Sequence, residues 1–360
     1  MFPASTTPAG VKLCVFDPLT ASRQAWGQLH AYRRARQQED FPGEPLPPEA
    51  DFEQQLMQWH PLYQTLRIVA SRGDVNVGNL ILGFRREGSP GWEEHTAFVD
   101  VSGGVLAGLR RQGTGTALMA ALQTFMQGSG RTMATLKVHM PDGHAFMAAM
   151  GAKEKYRSVE NRLALDGLCW EELVRWSSYP LSAAQGLHWE VHAGRVPFDR
   201  LARLMQPLSV LINQQPLGSL EIARIRYELQ AYESWYAEMD RRGGEHFLVM
   251  LLHGDEVAAV CDASWDARFA DRVYQQLTAV ASPWRGKGLA KAVKAAMFDL
   301  MRSRHPEVRT AITNNANTNA AMLSINRRLG FTLHRQDATW QIGVEALGRW
   351  LSASRHTPGA

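Results

Sequence analysis

The sequence predicts an α/β chain in which one fold is built twice, and three observations carry that prediction. Arg110, Gly113 and Gly115 answer Arg285, Gly288 and Ala290 at one constant offset of 175 residues. The apolar positions that follow keep the offset, pairing Leu118 with Val293, Ala121 with Ala296, Leu122 with Met297 and Phe125 with Leu300. A glycine turn and a helix stripe that share one offset mark an internal repeat. The length, 360 residues, exceeds one average domain, and 45% hydrophobic against 21% charged residues supplies core material for two.

Periodicity places the elements. In the first copy, "AWGQLHAYRRARQQ" and "FEQQLMQWH" read as helices ahead of strand-like "RIVAS", "NLILGF" and "HTAFVDV". The glycine turn and its helix follow, then "HMPDGHAFMAAMGA" and a closing strand pair in "KEKYRSVENRLAL". A short helix from Trp170 to Trp176 gives way to a Pro, Ser and Gly stretch, so the expected domains are 1–183 and 184–360. The second copy opens on a strand at His188 to His192. Helices in "FDRLARLM" and "LEIARIRYELQAYESWYAEM" precede strands in "HFLVMLL", "VAAVCDAS" and "RVYQQLTAV". The second turn and a helix from Leu289 come next, then a strand in "VRTAIT" and a helix closed by "LGF".

The chemistry of the turn derives from its place at a helix start. A helix N-terminus leaves about four N–H groups unpaired and carries about half a positive charge. Gly286 and Gly288 let a ligand approach the backbone, and Arg285 and Lys287 add charge, so the junction suits a phosphate group. A Walker A loop fails because Gly288 follows Lys287. A dinucleotide fingerprint fails because Lys291 stands where its third glycine belongs.

Arg285-x-x-Gly288-x-Ala290, directly after a strand ending in Thr278, Ala279 and Val280, resembles the pyrophosphate-binding turn of the GNAT superfamily of N-acetyltransferases. Downstream, Asn319, Asn326, Gly330 and Phe331 fall in that family's slots. The resemblance implies two tandem α/β domains, each a mixed, mostly antiparallel sheet flanked by helices. It implies acetyl-CoA as acyl donor, with the pyrophosphate on the backbone of Arg285, Gly286, Lys287, Gly288, Leu289 and Ala290. The pantetheine arm would run along Thr278, Ala279 and Val280 and meet Asn319. The implied activity is transfer of an acetyl group to a small amine acceptor in the C-terminal domain. Tandem chains with one working and one degenerate copy occur in this family, and mycothiol synthase is an example. Here Met140 and Met147 stand where the second copy has Asn319 and Asn326, so the first copy is expected to be the degenerate one.

The chain departs from the family at the acid/base positions. Asn326 stands where many members have a Tyr that protonates the departing thiolate, and Asn314 where some have a basic Glu. An amide can hydrogen-bond a thiolate but exchanges no proton at pH 7. Candidate catalytic residues are therefore Asn326, Tyr274 and Asp262, of which Tyr274 also reads as strand packing and Asp262 as a turn cap beside Ser264. Asn319 equally reads as a helix N-cap. His246 opens a strand and reads as exposed, while Tyr232, Trp235 and Tyr236 read as core or as an acceptor pocket, with Glu228 and Glu233 nearby to attract a cationic amine. The substitutions at Asn314 and Asn326 also keep open an alternative, a non-catalytic acyl-CoA-binding or regulatory protein.

The formal net charge of +4 is modest and interspersed, and "YRRAR" and "RSRHPEVR" read as solvated helix faces, so nucleic-acid binding is not expected. Cys14, Cys169 and Cys261 form no C-x-x-C pair, and His139 and His144 lack metal-site spacing, so neither disulfides nor a metal are expected. No apolar run reaches membrane-spanning length and no signal-like leader is seen, which leads to the expectation of a soluble cytoplasmic protein. The sequence gives no oligomeric state.

Overall fold

A computed structural model describes residues 5–6, 10–178 and 186–355. Its first half contains β1 (Ser5–Thr6), β2 (Lys12–Val15), α1 (Arg23–Asp40), α2 (Glu49–Met57), β3 (Tyr63–Arg72) and β4 (Val75–Arg85). There follow α3 (Trp92–His95), β5 (Phe98–Val105), α4 (Thr114–Ser129), β6 (Met133–Val138), α5 (Pro141–Ala149), β7 (Lys153–Ala164) and α6 (Trp170–Ser178). The second half contains β8 (Leu187–Ala193), α7 (Phe198–Ile212), α8 (Leu229–Arg241), β9 (Glu245–His253), β10 (Glu256–Trp265) and β11 (Arg272–Val280). It closes with α9 (Leu289–Arg304), β12 (Thr310–Ala316), α10 (Ala320–Leu329), β13 (Thr332–Gly343) and α11 (Val344–Arg355). The domain boundary expected near residue 183 lies outside the described residues.

Two compact units divide the chain. Unit 1 is Met1–Lys155 with Leu220–Ala223 and Ala338–Ala360; unit 2 is Tyr156–Ser219 with Arg224–Asp337. In unit 1 the strand order is β1-β2-β3-β4-β5-β6-β13, antiparallel except where β5 lies parallel to β6. Alternation along β3 sends Ile68 and Ala70 to a core with Leu118 and Leu122 of α4, and Val69 to a cluster with Trp26 and Leu29 of α1. Helices thus cover both faces of the sheet.

Unit 2 has the order β7-β12-β11-β10-β9-β8, with only the β11/β12 pair parallel. Phe247, Val249 and Leu251 of β9 pack with α9, while Leu248, Met250 and Leu252 pack with α7 and α8. A strand buried on both faces has no polar side to show, which is why "HFLVMLL" is nearly all apolar.

The units exchange their closing strands. Ser158 to Ala164 of β7, from the first half of the sequence, pair with Ala316 to Thr310 of β12 inside unit 2. Ala338 to Gly343 of β13, from the second half, pair with Val138 to Met133 of β6 inside unit 1. The strand pair expected in "KEKYRSVENRLAL" is thus a single strand, and it pairs with β12.

A second correction concerns the long helix expected from Leu220 to Met239. Only the part from Leu229 is helical, and side chains take up the backbone groups of the rest. Within unit 1, Gln341 receives the Glu221 N–H at 3.0 Å and donates to the Glu221 carbonyl at 2.7 Å. Within unit 2, Asn213 does the same for Ile225, and Ser209 Oγ receives the Tyr227 N–H at 2.9 Å. Satisfied backbone groups remove the reason to be helical, so tertiary partners override local periodicity.

The exchange has a direct test. A fragment of residues 184–360 lacks β7 and leaves β12 as an open edge. It should show no cooperative thermal transition by circular dichroism, whereas a sharp transition near that of the full chain would mean that β7 is dispensable.

Candidate active site

The site begins with a register fault. β10 and β11 pair Cys261 with Thr278 and then Ala263 with Gln275, so Asp262 alone faces Gln276 and Leu277. One extra residue on β11 is a β-bulge, which bends its strand and re-aims the residues beyond it. On the other side, β11 pairs with β12 only from Arg272↔Thr310 to Gln275↔Thr313, although β11 continues to Val280 and β12 to Ala316. The strands part at the bulge. Between them lies a cavity of about 200 Å³, lined among others by Tyr227, Gln276, Thr278, Asn314, Asn315 and Asn319. No lining residue is charged, and five carry side-chain amides: Gln215, Gln276, Asn314, Asn315 and Asn319.

The strand leads into the glycine turn. Gly286 and Gly288 have φ of +77° and +78°, a left-handed conformation that costs a side-chain-bearing residue free energy. The space a Gly286 Cβ would enter is open for 4 Å. Among the described residues, the amides of Gly286 to Ala290 make no backbone hydrogen bond outside the helix, as expected at a helix start. Arg285 Nε donates to the Val280 carbonyl at 3.2 Å and its guanidinium meets the neutral Gln214, so its charge is not cancelled there. Lys287 Nζ lies 4.5 Å from the centre of the Trp284 ring. Cations, free amides and access coincide, which is what an anion needs.

The first copy builds the same turn but cancels the charge of its arginine. Arg110 Nε donates to the Val105 carbonyl at 3.1 Å, as Arg285 does to Val280, but its guanidinium also binds Asp142 at 2.6 Å and Glu39 at 3.3 Å. Glu39 Oε1 further accepts the Ala107 N–H at 2.8 Å. Tyr32 donates to the Gly104 carbonyl at 2.8 Å, and Arg36 lies against Gly104 and pairs with Glu39 and Asp40. Arg111, at φ +60°, is the one described non-glycine residue with positive φ and stands where the second copy has Gly286. β4 and β5 keep an unbroken register from Gly78↔Val105 to Gly83↔Asp100, without a bulge. "YRRAR", read from sequence as a solvated face, thus turns Tyr32 and Arg36 inward.

Residues 213–331 match the acetyltransferase (GNAT) family. Over that stretch the sequence is that of a GNAT acetyltransferase domain. No curated protein sequence matches the chain significantly. A tandem GNAT protein from the clavulanic acid biosynthesis pathway, solved without AcCoA, is 22% identical, with a TM-score of 0.71 over 93% of this chain and 98% of its own. A GCN5-related N-acetyltransferase from Sphaerobacter thermophilus is 14% identical, with a TM-score of 0.62 over 94% and 97%. The glucosamine N-acetyltransferase region of a fungal multi-domain GH3 beta-N-acetylglucosaminidase is 12% identical, with a TM-score of 0.59 over 95% of this chain and 38% of that one. At these identities the likeness is one of fold, and the fold is that of tandem GNAT proteins.

Within the GNAT domain the sequence-derived residues separate into three groups. Thr278 and Asn319 line the cavity, and Asn319 also caps α10 by accepting the Met322 N–H at 3.2 Å. Ala279 and Val280 continue the parted strand, Arg285 to Gly288 form the turn, and Leu289 and Ala290 open α9. Tyr274 lies upstream of the bulge, half-buried and opposite Ser264 and Ile312. Asn326 is 1% exposed and donates to Asn315 Oδ1 at 2.7 Å, so it reaches the cavity through Asn315. Asp262 faces the bulge from the α7/α8 side of the sheet, on the same face as Val260.

His246 corrects the sequence reading. It is 2% exposed, ringed by Tyr232, Trp235 and Tyr236, and bonded to both Tyr236 and Asp262. A strand-initial His carries no local sign that aromatic residues of a preceding helix will cover it. Glu228 and Glu233 do not line the cavity.

Behind the parting point, Lys294 of α9 is 1% exposed and donates to Gln275 Oε1 at 2.6 Å. Gln275 is the last β11 residue to pair with β12. Burial pushes the Lys294 ammonium down to about 8 from its ordinary 10.5, against a smaller opposing effect of Cys261. Between those values the unfolded chain holds a proton that the folded one has released, so stability rises with pH. Relative to Lys294→Met, the wild-type protein should gain roughly 1–3 kcal/mol from pH 7 to pH 10 in urea unfolding. Parallel pH profiles would show that burial does not pull the Lys294 ammonium down.

Proposed function

We propose that unit 2 transfers an acetyl group from acetyl-CoA to a small amine, and that unit 1 is a degenerate copy serving as scaffold. The observation that carries this reading is the parting of β11 from β12 directly before an uncancelled cationic glycine turn. The amides of Gly286 to Ala290 and the charges of Arg285 and Lys287 would hold the pyrophosphate. Thr278, Ala279 and Val280 would pair with the pantetheine arm, and the side-chain amides of the cavity, Asn319 among them, suit its peptide-like groups. Asp262 would remove the proton from the acceptor ammonium. The neutral amine then attacks the thioester carbon, the C–S bond breaks, and the proton shed by the new amide nitrogen ends on the departing thiolate, giving coenzyme A. Asn326 would orient Asn315 near that sulfur, and Tyr274 would pack the strand ahead of the bulge.

The uncharged lining also bears on the acceptor. A polycation finds no acidic cavity wall, so the reading favours a compact acceptor with one amine. The alternative, a non-catalytic acyl-CoA-binding or regulatory protein, predicts tight acetyl-CoA binding without release of free thiol when amines are added.

Lys287 and Gln112 occupy matching places in the two turns and both are exposed, so substituting them leaves the core untouched. Lys287→Glu should weaken acetyl-CoA binding by calorimetry at least tenfold, about 1.4 kcal/mol, while Gln112→Glu should change nothing. An unaffected Lys287→Glu would remove the donor from the second turn. Stoichiometry should be close to one per chain, since Glu39 and Asp142 already neutralise Arg110 of the first turn; two equivalent sites would contradict the degenerate copy.

A further inference from the structure

We infer that Tyr236 and His246 form a one-way hydrogen-bonded chain that positions Asp262 as the base for the acceptor amine. The inference rests on the transferase reading of unit 2 and adds to it the residues that hold its base.

The direction of the chain is set at its carboxylate end. The Val196 N–H donates to the Tyr236 hydroxyl oxygen at 3.1 Å. That oxygen is 2.8 Å from His246 Nδ1, within hydrogen-bond distance. An ionised carboxylate only accepts, so His246 Nε2 donates to Asp262 Oδ1 at 3.2 Å, and a neutral imidazole with its proton on Nε2 accepts the Tyr236 hydroxyl hydrogen at Nδ1. Burial, the largest effect, pushes the Tyr236 phenol up to about 12, so its hydroxyl keeps the hydrogen this arrangement requires. Tyr236 and His246 are 1% and 2% exposed, and the rings of Tyr232 and Trp235 close round His246, which leaves the imidazole little freedom to turn.

Asp262 is held differently at its two oxygens. Oδ1 takes the His246 bond, while among the described residues Oδ2 has no hydrogen-bond partner, and the side chain keeps 11% of its surface open. Asp262 does not itself line the cavity, but in register it stands opposite the bulge residues Gln276 and Leu277, both of which do. Its charge also reaches the hydroxyl of Tyr227, another lining residue, which burial and then Asp262 push upward. A carboxylate fixed through one oxygen and free at the other, beside the place where the strands part, has the geometry of a general base. It takes one proton from the ammonium through Oδ2 and releases it to solvent after transfer. His246 acts through Asp262 and is a positioning residue.

The test uses the full chain, acetyl-CoA and a panel of glucosamine, tyramine and putrescine, with release of free thiol as readout. Asp262→Asn should lower kcat about 100-fold or more for the best acceptor of the panel. His246→Leu should lower kcat about tenfold, with the acetyl-CoA dissociation constant unchanged. His246→Gln places an amide N–H near the position of Nε2 and should return kcat to within about threefold of wild type. A purely structural bridge between β9 and β10 would instead lower the melting temperature and leave kcat per folded molecule unchanged. The inference is overturned if His246→Leu keeps kcat within about twofold, or if His246→Gln is as impaired as His246→Leu at equal melting temperature. Failure of the wild-type protein to release thiol, despite binding acetyl-CoA, would count against the transferase reading itself and so against a base for it.

Discussion

One extra residue in β11 governs the site. Gln276 and Leu277 together face Asp262 directly after Gln275, the last residue of β11 to pair with its parallel neighbour. Backbone groups that leave a ladder need other partners. Here they border a cavity lined with amides and lead into a glycine turn whose own N–H groups are free. The Lys294–Gln275 bond behind the sheet fixes the last paired residue, and the Asp262–His246 bond fixes the residue opposite the bulge, so the fault is held from both faces.

The first copy shows what the same turn becomes without that fault. Its register is continuous, and its α1 helix sends Tyr32 and Arg36 to the carbonyls at the end of β5. Glu39 then supplies a carboxylate to Ala107 and Arg110, the chemistry an incoming phosphate would offer. An anion approaching this turn meets a carboxylate already paired with its arginine. The second copy puts the neutral Gln214 beside its Arg285. Two turns of one sequence pattern therefore differ through residues about seventy positions upstream of each, which is why the motif alone does not separate a neutralised turn from an uncancelled one.

What could be read from the sequence was local. Gly286, Gly288 and the stripe from Leu289 onward declare a left-handed turn and an amphipathic helix within a few residues, and the structure has both. The repeat was equally legible, because a constant offset needs no knowledge of folding. The bulge was not, since "VYQQLTAV" alternates plausibly and its register is set by β10 through long-range pairing. His246 looked exposed and Leu220 to Glu228 looked helical for the same reason: Tyr236, Gln341 and Asn213 decide those places from elsewhere in the chain. The exchange of β7 and β13 leaves no local trace, because either strand could close either sheet on its pattern of apolar residues.

The central claim is that an acyl donor enters the parted strands and glycine turn of unit 2 and not the matching place in unit 1. Hydrogen exchange read by mass spectrometry, with and without coenzyme A, tests it on the intact chain. The account predicts slowed exchange in peptides covering 276–291, which hold the unpartnered amides of Gly286 to Ala290, and no change in peptides covering 103–116. Equal protection of both stretches, or protection of the first-copy stretch alone, would contradict it.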